Sequence, residues 1–406
     1  MRRLIYVSNN VLLKDQSLNP FFAQEVDSLL AQFGAFSVIS PQGSFVCREG
    51  SVVSDFIPFS LRSAFKALLM GCFNRRLFRV FVHLFRNRKG SPRNILGLIR
   101  FSARGYRLAS MIEQEVVRGN PADVLIYSYW LSYDAYACAM VKEKYPQAYA
   151  LSRAHSYEIQ IHRNACNPYL MKDYIFRTLD RIAFISQDAM RSVEAYYPID
   201  KTKMRVLYIG STEDNTGFVK RKDLPTFTVV SCSTINANKQ LDWMISVLEH
   251  WDNSNIHWIH VGDGSDRKKI ERMAQDKLYG NPKVSYTFKG QMSNKDVRAL
   301  LRDEGINVFV NMSKSEGVPV TLMEAMSEGL PVIAPKICGI PELVDESCGI
   351  LFDPTPGSEA LKTALVQFHS LQWSERNAMG ICAYERWKKD FCLERNIMEL
   401  FKNASN

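Results

Sequence analysis

Glu316 and Glu324 stand on either side of Pro319 in the stretch MSKSEGVPVTLMEAMSEGLPVIAP, Met312 to Pro335. Two carboxylates so placed in a largely apolar run suit two chemistries. One is acid–base hydrolysis of a glycosidic bond, in which the paired carboxyl groups lie about 5 to 9.5 Å apart. Eight residues at the helical rise would separate the two backbones by up to about 12 Å, which weakens that reading. The other is hydroxyl recognition: a carboxylate accepts from two neighbouring hydroxyls, as on a ribose diol, and those bonds offset the cost of burying it. A purely structural alternative stands beside both. In it Glu324 pairs with an arginine or caps a buried backbone group, and Glu316 only helps to end a strand.

The elements around these residues fix what they can reach. INVFVNMS predicts a strand and KSEGVPV the turn after it. Pro319 suits the first helical position, where its missing N–H costs nothing. Gly317 lets the backbone come close to a ligand, and the helix start presents unpaired amides and partial positive charge to a phosphate. Along the helix, Val318, Leu322, Ala325 and Met326 are expected to face the core, with Thr321, Glu324 and Glu328 on the other stripe.

Short β-rich runs alternate with helical patterns along the whole chain, the signature of parallel sheets with crossover helices. The predicted strands are 4–8, 36–40, 123–130, 148–155, 181–186 and 204–210 in the first half. TFTVVSCS, IHWIHVGDG, VSYTFKG, INVFVNMS, PVIAPK and CGILFD follow in the second. The fold class is α/β, with two Rossmann-like, doubly wound domains and a crevice between them. The first domain spans 1–210 and holds an insertion at about 56–112. A polar linker covers 211–225, the second domain 226–380, and a C-terminal helix at 381–406 is able to cross back to the first. In open parallel sheets ligands sit beyond the carboxyl ends of the strands, so the residues just after strands carry the weight.

With 406 residues, 46% of them hydrophobic and 23% charged, the chain reads as an ordinary folded two-domain protein. No run of about 18 apolar residues lacks a charge, so neither a signal peptide nor a spanning helix is expected. Nine scattered cysteines without a CxxC argue against a disulfide framework or structural zinc and favour a reducing cytoplasm. The net charge of +9 is uneven: residues 1–205 hold 28 Lys and Arg against 16 Asp and Glu, the rest 23 against 26. From Phe56 to Ile112 there is no acidic residue, and arginines alternate with Phe, Leu and Val at helical spacing. That pattern suits an anionic membrane surface or a diphosphate-bearing lipid. Nucleic acid is not expected as a partner, because no zinc-finger spacing, recognition-helix signature or aromatic RNA-binding motif occurs.

The run SEGVPVTLMEAMSEGLPVIAPKICGIPELV, with its two glutamates in an E-x7-E arrangement, closely resembles the donor-site motif of glycosyltransferase family 4, the retaining enzymes of GT-B fold. The resemblance extends forwards through CGILFDP and backwards to VVSCSTINANKQLDWMISVL, WIHVGDGSD and VSYTFKGQMSNKDVRALL. NPFFAQEVDSLL, SRAHSYE and RIAFISQDAM resemble the more diverged acceptor domain. The resemblance implies that Glu324 binds the nucleotide ribose hydroxyls and that Glu316 holds hydroxyls of the donor sugar near the reacting carbon. It implies that amides of Gly317 and Val318 face the sugar or diphosphate, that Lys239 neutralises the departing diphosphate, and that His155 faces the donor sugar across the cleft. A leaving dianion needs fixed positive charge in the transition state, which agrees with the role of Lys239. Two departures stand out. Most members carry an arginine where this chain has Thr234, so one diphosphate ligand is missing, and SNNVLLKDQSLNP replaces the glycine-rich loop that often follows the first strand.

The expected activity is transfer of a sugar from a nucleotide-sugar donor to a hydroxyl of an acceptor glycan, lipid-linked, at the inner face of the cytoplasmic membrane during cell-surface polysaccharide synthesis. Retention follows from the resemblance. A single carboxylate near the reacting carbon favours front-side displacement assisted by the diphosphate. Two other readings stay open: a GT-B nucleotide-sugar epimerase, and a non-catalytic nucleotide-sugar-binding subunit. VGDGSD lacks the third glycine of a dinucleotide fingerprint and the spacing of a metal-binding DxD, so a tight strand-to-helix turn is expected there, with no cofactor and no essential metal.

Overall fold

The computed structural model of the protein describes residues 2–11, 19–48, 51–55, 80, 82, 91–159, 171–197, 199–213 and 217–402. The chain divides into two compact units, Met1–Leu207 with Glu394–Asn406, and Tyr208–Leu393.

Unit 1 is built on an eight-stranded sheet in the order β4-β3-β2-β1-β5-β6-β7-β8. Its strands are β1 (Arg3–Val7), β2 (Ala35–Ser40), β3 (Gly43–Arg48), β4 (Ser51–Asp55), β5 (Val124–Ser128), β6 (Tyr149–Ala154), β7 (Arg181–Phe184) and β8 (Met204–Val206). Helices α1 (Pro20–Phe33), α2 (Pro92–Val116), α3 (Tyr133–Lys144), α4 (Ser156–Ile159), α5 (Lys172–Thr178) and α6 (Gln187–Glu194) connect them. β1 and β5 lie side by side in parallel, Leu4 opposite Leu125 and Ile5 opposite Ile126. Every residue of β5 is buried, as expected of a central strand covered on both faces. One face packs Ile5, Val7, Ile126, Ala150 and Ile182 against α2, α3 and α5. Tyr6, Tyr127, Phe22 and Phe36 meet on the other.

Two features of unit 1 differ from the expected pattern. β3 and β4 form an antiparallel meander on the edge of β2, Phe36 pairing with Cys47 and Val46 with Val53; these two strands were not among those expected. The acid-free segment, read as an insertion at 56–112, falls partly outside the described residues. From Ser91 onward it is α2, capped by Ser91 Oγ accepting from Asn94 N (3.3 Å) and opened by Pro92. This helix belongs to the core, since Leu98, Phe101, Leu108 and Ile112 are buried. Gly105 lets it lie against α3, where a Cβ would come within 2.5 Å of the Tyr136 ring.

Unit 2 holds a six-stranded, all-parallel sheet in the order β11-β10-β9-β12-β13-β14. Its strands are β9 (Phe227–Cys232), β10 (Ile256–Val261), β11 (Val284–Gly290), β12 (Ile306–Val310), β13 (Val332–Pro335) and β14 (Gly349–Phe352). Its helices are α7 (Leu241–Glu249), α8 (Arg267–Leu278), α9 (Asn294–Leu301), α10 (Val320–Ser327), α11 (Ile340–Leu343), α12 (Ser358–Ser370) and α13 (Trp373–Arg386). Counted from β9, the order is 3-2-1-4-5-6, that of a dinucleotide-binding sheet, and its topological switch point lies between β9 and β12. One layer packs Val229, Trp258 and Val308 against α7 and α12; the other packs Val230, Phe309 and Val332 against α9 and α10.

Of the stretch expected as a linker, 211–225, residues 211–213 and 217–225 are described. Buried Arg221 donates from Nη1 to the carbonyls of Leu301 (2.9 Å) and Asp303 (2.8 Å) and from Nη2 to that of Glu328, fastening the stretch to unit 2. Ser211 bonds through its backbone to Phe391 and Leu393 (3.0 Å each), and Gly210 takes φ +86° where a Cβ would sit 2.7 Å from the Phe391 oxygen. The C-terminal helix Leu393–Phe401 returns the chain to unit 1. Arg181 Nη1 donates to Leu400 O (3.3 Å), and the Phe401 ring meets those of Phe33 and Tyr127 edge to face.

Candidate functional site

The carboxyl end of the unit 2 sheet is a set of loops stitched to one another. Ser233 N donates to Val261 O (2.9 Å), Ile235 N to Asp263 O (3.0 Å) and Gly262 N to Gly290 O (2.9 Å), joining the loops after β9, β10 and β11. This explains VGDG. Gly262, at φ +135°, would drive a Cβ to 1.9 Å from Ser233 O, and a Cβ on Gly264 would stand 2.2 Å from Ile235 O. Both glycines are there for backbone approach, as in the tight turn expected.

Across the switch point the loops after β9 and β12 are joined in the same way. Lys314 N donates to Asn238 O (2.8 Å), and Asn238 Nδ2 donates to Ser315 O (3.0 Å). Asn236 caps a short 3-10 turn, Ala237–Lys239, which places Lys239 before α7 rather than at its first residue. Lys239 Nζ is ion-paired with Glu316 Oε1, both side chains mostly buried. The carbonyl of Gly317 accepts from Gly339 N (3.1 Å), and a Cβ on Gly339 would come within 2.7 Å of that oxygen. Pro319 is the N-cap of α10, one position earlier than expected, and no side chain caps that end. Glu316 therefore lies in the turn before α10, and the helical rise does not apply to the whole interval up to Glu324.

Helix α10 and the residues flanking it are buried on both stripes: Val318, Leu322, Ala325 and Met326, as expected, but also Met323, Glu324, Ser327 and Glu328. Each carboxylate has a partner on α9, spaced one turn apart on both helices. Glu328 takes Arg298, with Nη2 at 2.7 Å and Nε at 3.2 Å, and Arg302 Nη1 at 3.2 Å. Glu324 takes a neutral amide, Asn294 Nδ2 donating to Oε1 at 2.6 Å. The arginine pairing weighed for Glu324 thus belongs to its neighbour. Burial raises the Glu324 pKa, opposed by the Asn294 hydrogen bond and the charge of Arg298. Cys232, at the end of β9, is pushed up to about 12 by burial, with Glu324 raising it and Lys239 lowering it. Thr234 is exposed on the loop after β9. The structure thus gathers Lys239, Thr234, Glu316, Gly317, Val318 and Glu324 on the two loops and one helix that flank the switch point of unit 2.

His155 is in unit 1, just after β6. Its ring rests against Trp130 and Tyr129, with centroids 4.4 and 4.9 Å away. Its backbone N–H donates to Glu158 Oε2 at 2.9 Å, and Nδ1 lies 3.5 Å from the same oxygen. Burial lowers its pKa against the pull of Glu158, so the ring is held towards the neutral form. Around it are buried charges that residue types alone did not single out. Arg153 Nη1 is ion-paired with Glu25 Oε1 at 2.9 Å. Asp134 accepts from Asn9 N at 3.1 Å and from Ser132 Oγ, and burial raises its pKa to about 7. Lys172 donates to the carbonyl of Leu131, and burial lowers its pKa to about 8. Among the described residues no group of three or more His, Cys, Asp or Glu side chains is gathered as a metal ion would require.

Residues 213–386 match the family model of glycosyl transferases group 1. No curated protein sequence matches the chain. Among solved structures, HepE of Anabaena in complex with UDP is 14% identical over 99% of each chain, TM-score 0.66. The lipopolysaccharide outer core galactosyltransferase WaaB is also 14% identical over 99% of each chain, TM-score 0.66. TarM of S. aureus, in complex with fondaparinux, α-GlcNAc-glycerol and UDP, is 15% identical over 72% of this chain, TM-score 0.56. This chain spans 58% of that TarM chain. At these identities the structural likenesses establish the fold, GT-B with two Rossmann-like domains. The family match lies on unit 2, on the half of the chain that holds Thr234, Lys239, Glu316, Gly317, Val318 and Glu324.

Proposed function

We propose that the protein is a retaining transferase of glycosyltransferase family 4 type that moves a sugar from a nucleotide sugar to a hydroxyl of an acceptor glycan. The observation that carries this reading is the meeting of Lys239, Glu316 and Glu324 at the β9–β12 switch point. Glu324 accepts from the ribose hydroxyls. The amides of Gly317 and Val318 and the uncapped start of α10 face the diphosphate or sugar. Lys239 exchanges Glu316 for the diphosphate when the donor binds, which frees Glu316 to accept from hydroxyls of the donor sugar. Both residues then hold their partners through fixed charge rather than through water, where such contacts are strongest. His155, neutral and backed by Glu158, hydrogen-bonds a sugar hydroxyl.

In the reaction, the bond from the anomeric carbon to the diphosphate oxygen breaks and the acceptor oxygen bonds to that carbon on the same face. The acceptor proton passes to the departing diphosphate, and Lys239 stabilises its charge. No metal is required in this scheme. The acceptor is a lipid-linked glycan of cell-surface polysaccharide synthesis, reached at an anionic membrane. The support for this is on α2, whose outward side presents Arg93, Leu96, Arg100 and Arg104, all exposed and within a segment without acidic residues. Among the described residues no helix is long and apolar enough to cross a membrane.

Product analysis tests the reading. Incubated with UDP-, GDP- and ADP-sugars and a lipid-linked glycan extract, the protein should release nucleoside diphosphate only with acceptor and yield one lengthened glycan, its new linkage sharing the donor's anomeric configuration. Isomerised nucleotide sugar from donor alone would mark an epimerase. No turnover in the wild type with donor still bound would mark a binding subunit.

A further inference from the structure

Helices α9 and α10 face each other through two rungs with the same four-residue spacing, Asn294 to Glu324 and Arg298 to Glu328. The rungs differ in one respect. The second is an ion pair and closes Glu328 off, since Arg298 and Arg302 engage both of its oxygens. The first is neutral: Asn294 binds only Oε1 of Glu324, and among the described residues no side chain bonds Oε2.

We propose that Asn294 is a positioning residue that sets the nucleotide specificity of Glu324 and makes the site select ribonucleoside over 2′-deoxyribonucleoside diphosphates. This rests on the reading of Glu324 as the ribose-binding carboxylate. An amide at this rung does two things that an arginine or lysine would not. It fixes the carboxylate through one oxygen, so that the second has a set position instead of several rotamers. It also leaves the carboxylate without a directly bonded cation, so that vicinal hydroxyls meet an acceptor whose second oxygen is not already engaged in an ion pair. A diol offers two donors and its 2′-deoxy counterpart one, so a fixed carboxylate separates them where a loose one would turn to follow the single hydroxyl. The start of α9 is itself held in place, with Ser293 Oγ accepting from Asp296 N (3.2 Å) and donating to Asp296 Oδ2 (2.6 Å). Asn294 is exposed while its partner is buried, so it can be replaced without opening the core.

The experiment is calorimetric titration of the full chain with UDP, GDP and ADP, each beside its 2′-deoxy form, for wild type, N294A, N294S, N294K and E324A. For whichever base binds, wild type should prefer the ribonucleotide by about tenfold, the worth of one hydrogen bond to a charged group. N294A should bring the ratio close to one while leaving the deoxy affinity within about twofold. N294S, which keeps a donor, should restore part of the ratio, and N294K should weaken the ribonucleotide most. A wild-type ratio that survives in N294A but collapses in E324A would overturn the role of Asn294 alone. A wild-type ratio near one, or one unchanged in E324A, would overturn the ribose reading of Glu324 beneath it.

Discussion

Lys239 on the loop after β9 and Glu316 on the loop after β12 are ion-paired, both mostly buried, at the point where the unit 2 sheet reverses its strand order. The ammonium proposed to meet a diphosphate and the carboxylate proposed to meet a sugar thus pair with each other. Replacing one leaves the other with a charge in a confined place. K239A should lower kcat by about 100-fold or more, in the range of losing one transition-state donor, and raise the Kd of the nucleoside diphosphate. E316A should lower kcat comparably while leaving nucleoside diphosphate affinity within about threefold. Steady-state kinetics beside calorimetry separates the two.

Glu324 gives an opposite signature in stability. Burial raises its folded pKa above the unfolded value near 4.3, so in that window and above it the folded protein pays for a buried charge. Below the unfolded pKa the charge is gone in both states and the cost disappears. E324Q should therefore unfold at a higher temperature than wild type at pH 7, with the gain shrinking as pH falls to about 4. Its nucleotide affinity should drop about tenfold. Differential scanning calorimetry from pH 4 to 8 reads the first effect and titration the second.

The second rung is structural. E328Q leaves Arg298 and Arg302 without their buried counter-charge and should cost about 3 kcal/mol by urea unfolding, the typical price of breaking a buried pair from one side. Nucleotide selectivity should not change in the variant that remains folded.

His260 sets an acid limit on unit 2. Buried beside Ser231, whose Oγ lies 2.9 Å from Nδ1, it has its pKa lowered by burial from about 6.5 to about 4. Between those values the unfolded chain binds more protons than the folded one, so stability rises with pH through the window and is lost as pH falls. The full loss is on the order of 3 kcal/mol at pH 4. H260Q should flatten the pH dependence of unfolding between pH 4 and 6.5.

Much of unit 2 was legible because its strands are continuous apolar runs and its turns carry glycines with single purposes. Gly262 and Gly264 are needed by the backbone alone, and INVFV can only be a covered strand. The core-facing residues of α10 followed from helical periodicity. What periodicity could not show was that the opposite stripe is buried as well, because that depends on α9, a helix far off in sequence. The Asn294–Arg298 spacing matches Glu324–Glu328, yet nothing in either segment says which partner goes with which. The β3–β4 meander was missed because short alternating runs after β2 did not stand out from a parallel pattern. The 211–225 stretch read as a linker from its polarity, and the carbonyls that receive Arg221 were not legible in it because they belong to residues far along the chain.

Thermal unfolding in the presence of a panel of nucleotide sugars tests most directly whether the β9–β12 switch point is a nucleotide-sugar site. A ligand that binds only the folded state raises the midpoint with its concentration over its dissociation constant. At least one of the UDP-, GDP- or ADP-sugars should raise the wild-type midpoint, with the shift largely lost in E324A and reduced in K239A while both variants remain folded. A shift of undiminished size in both variants would contradict the account.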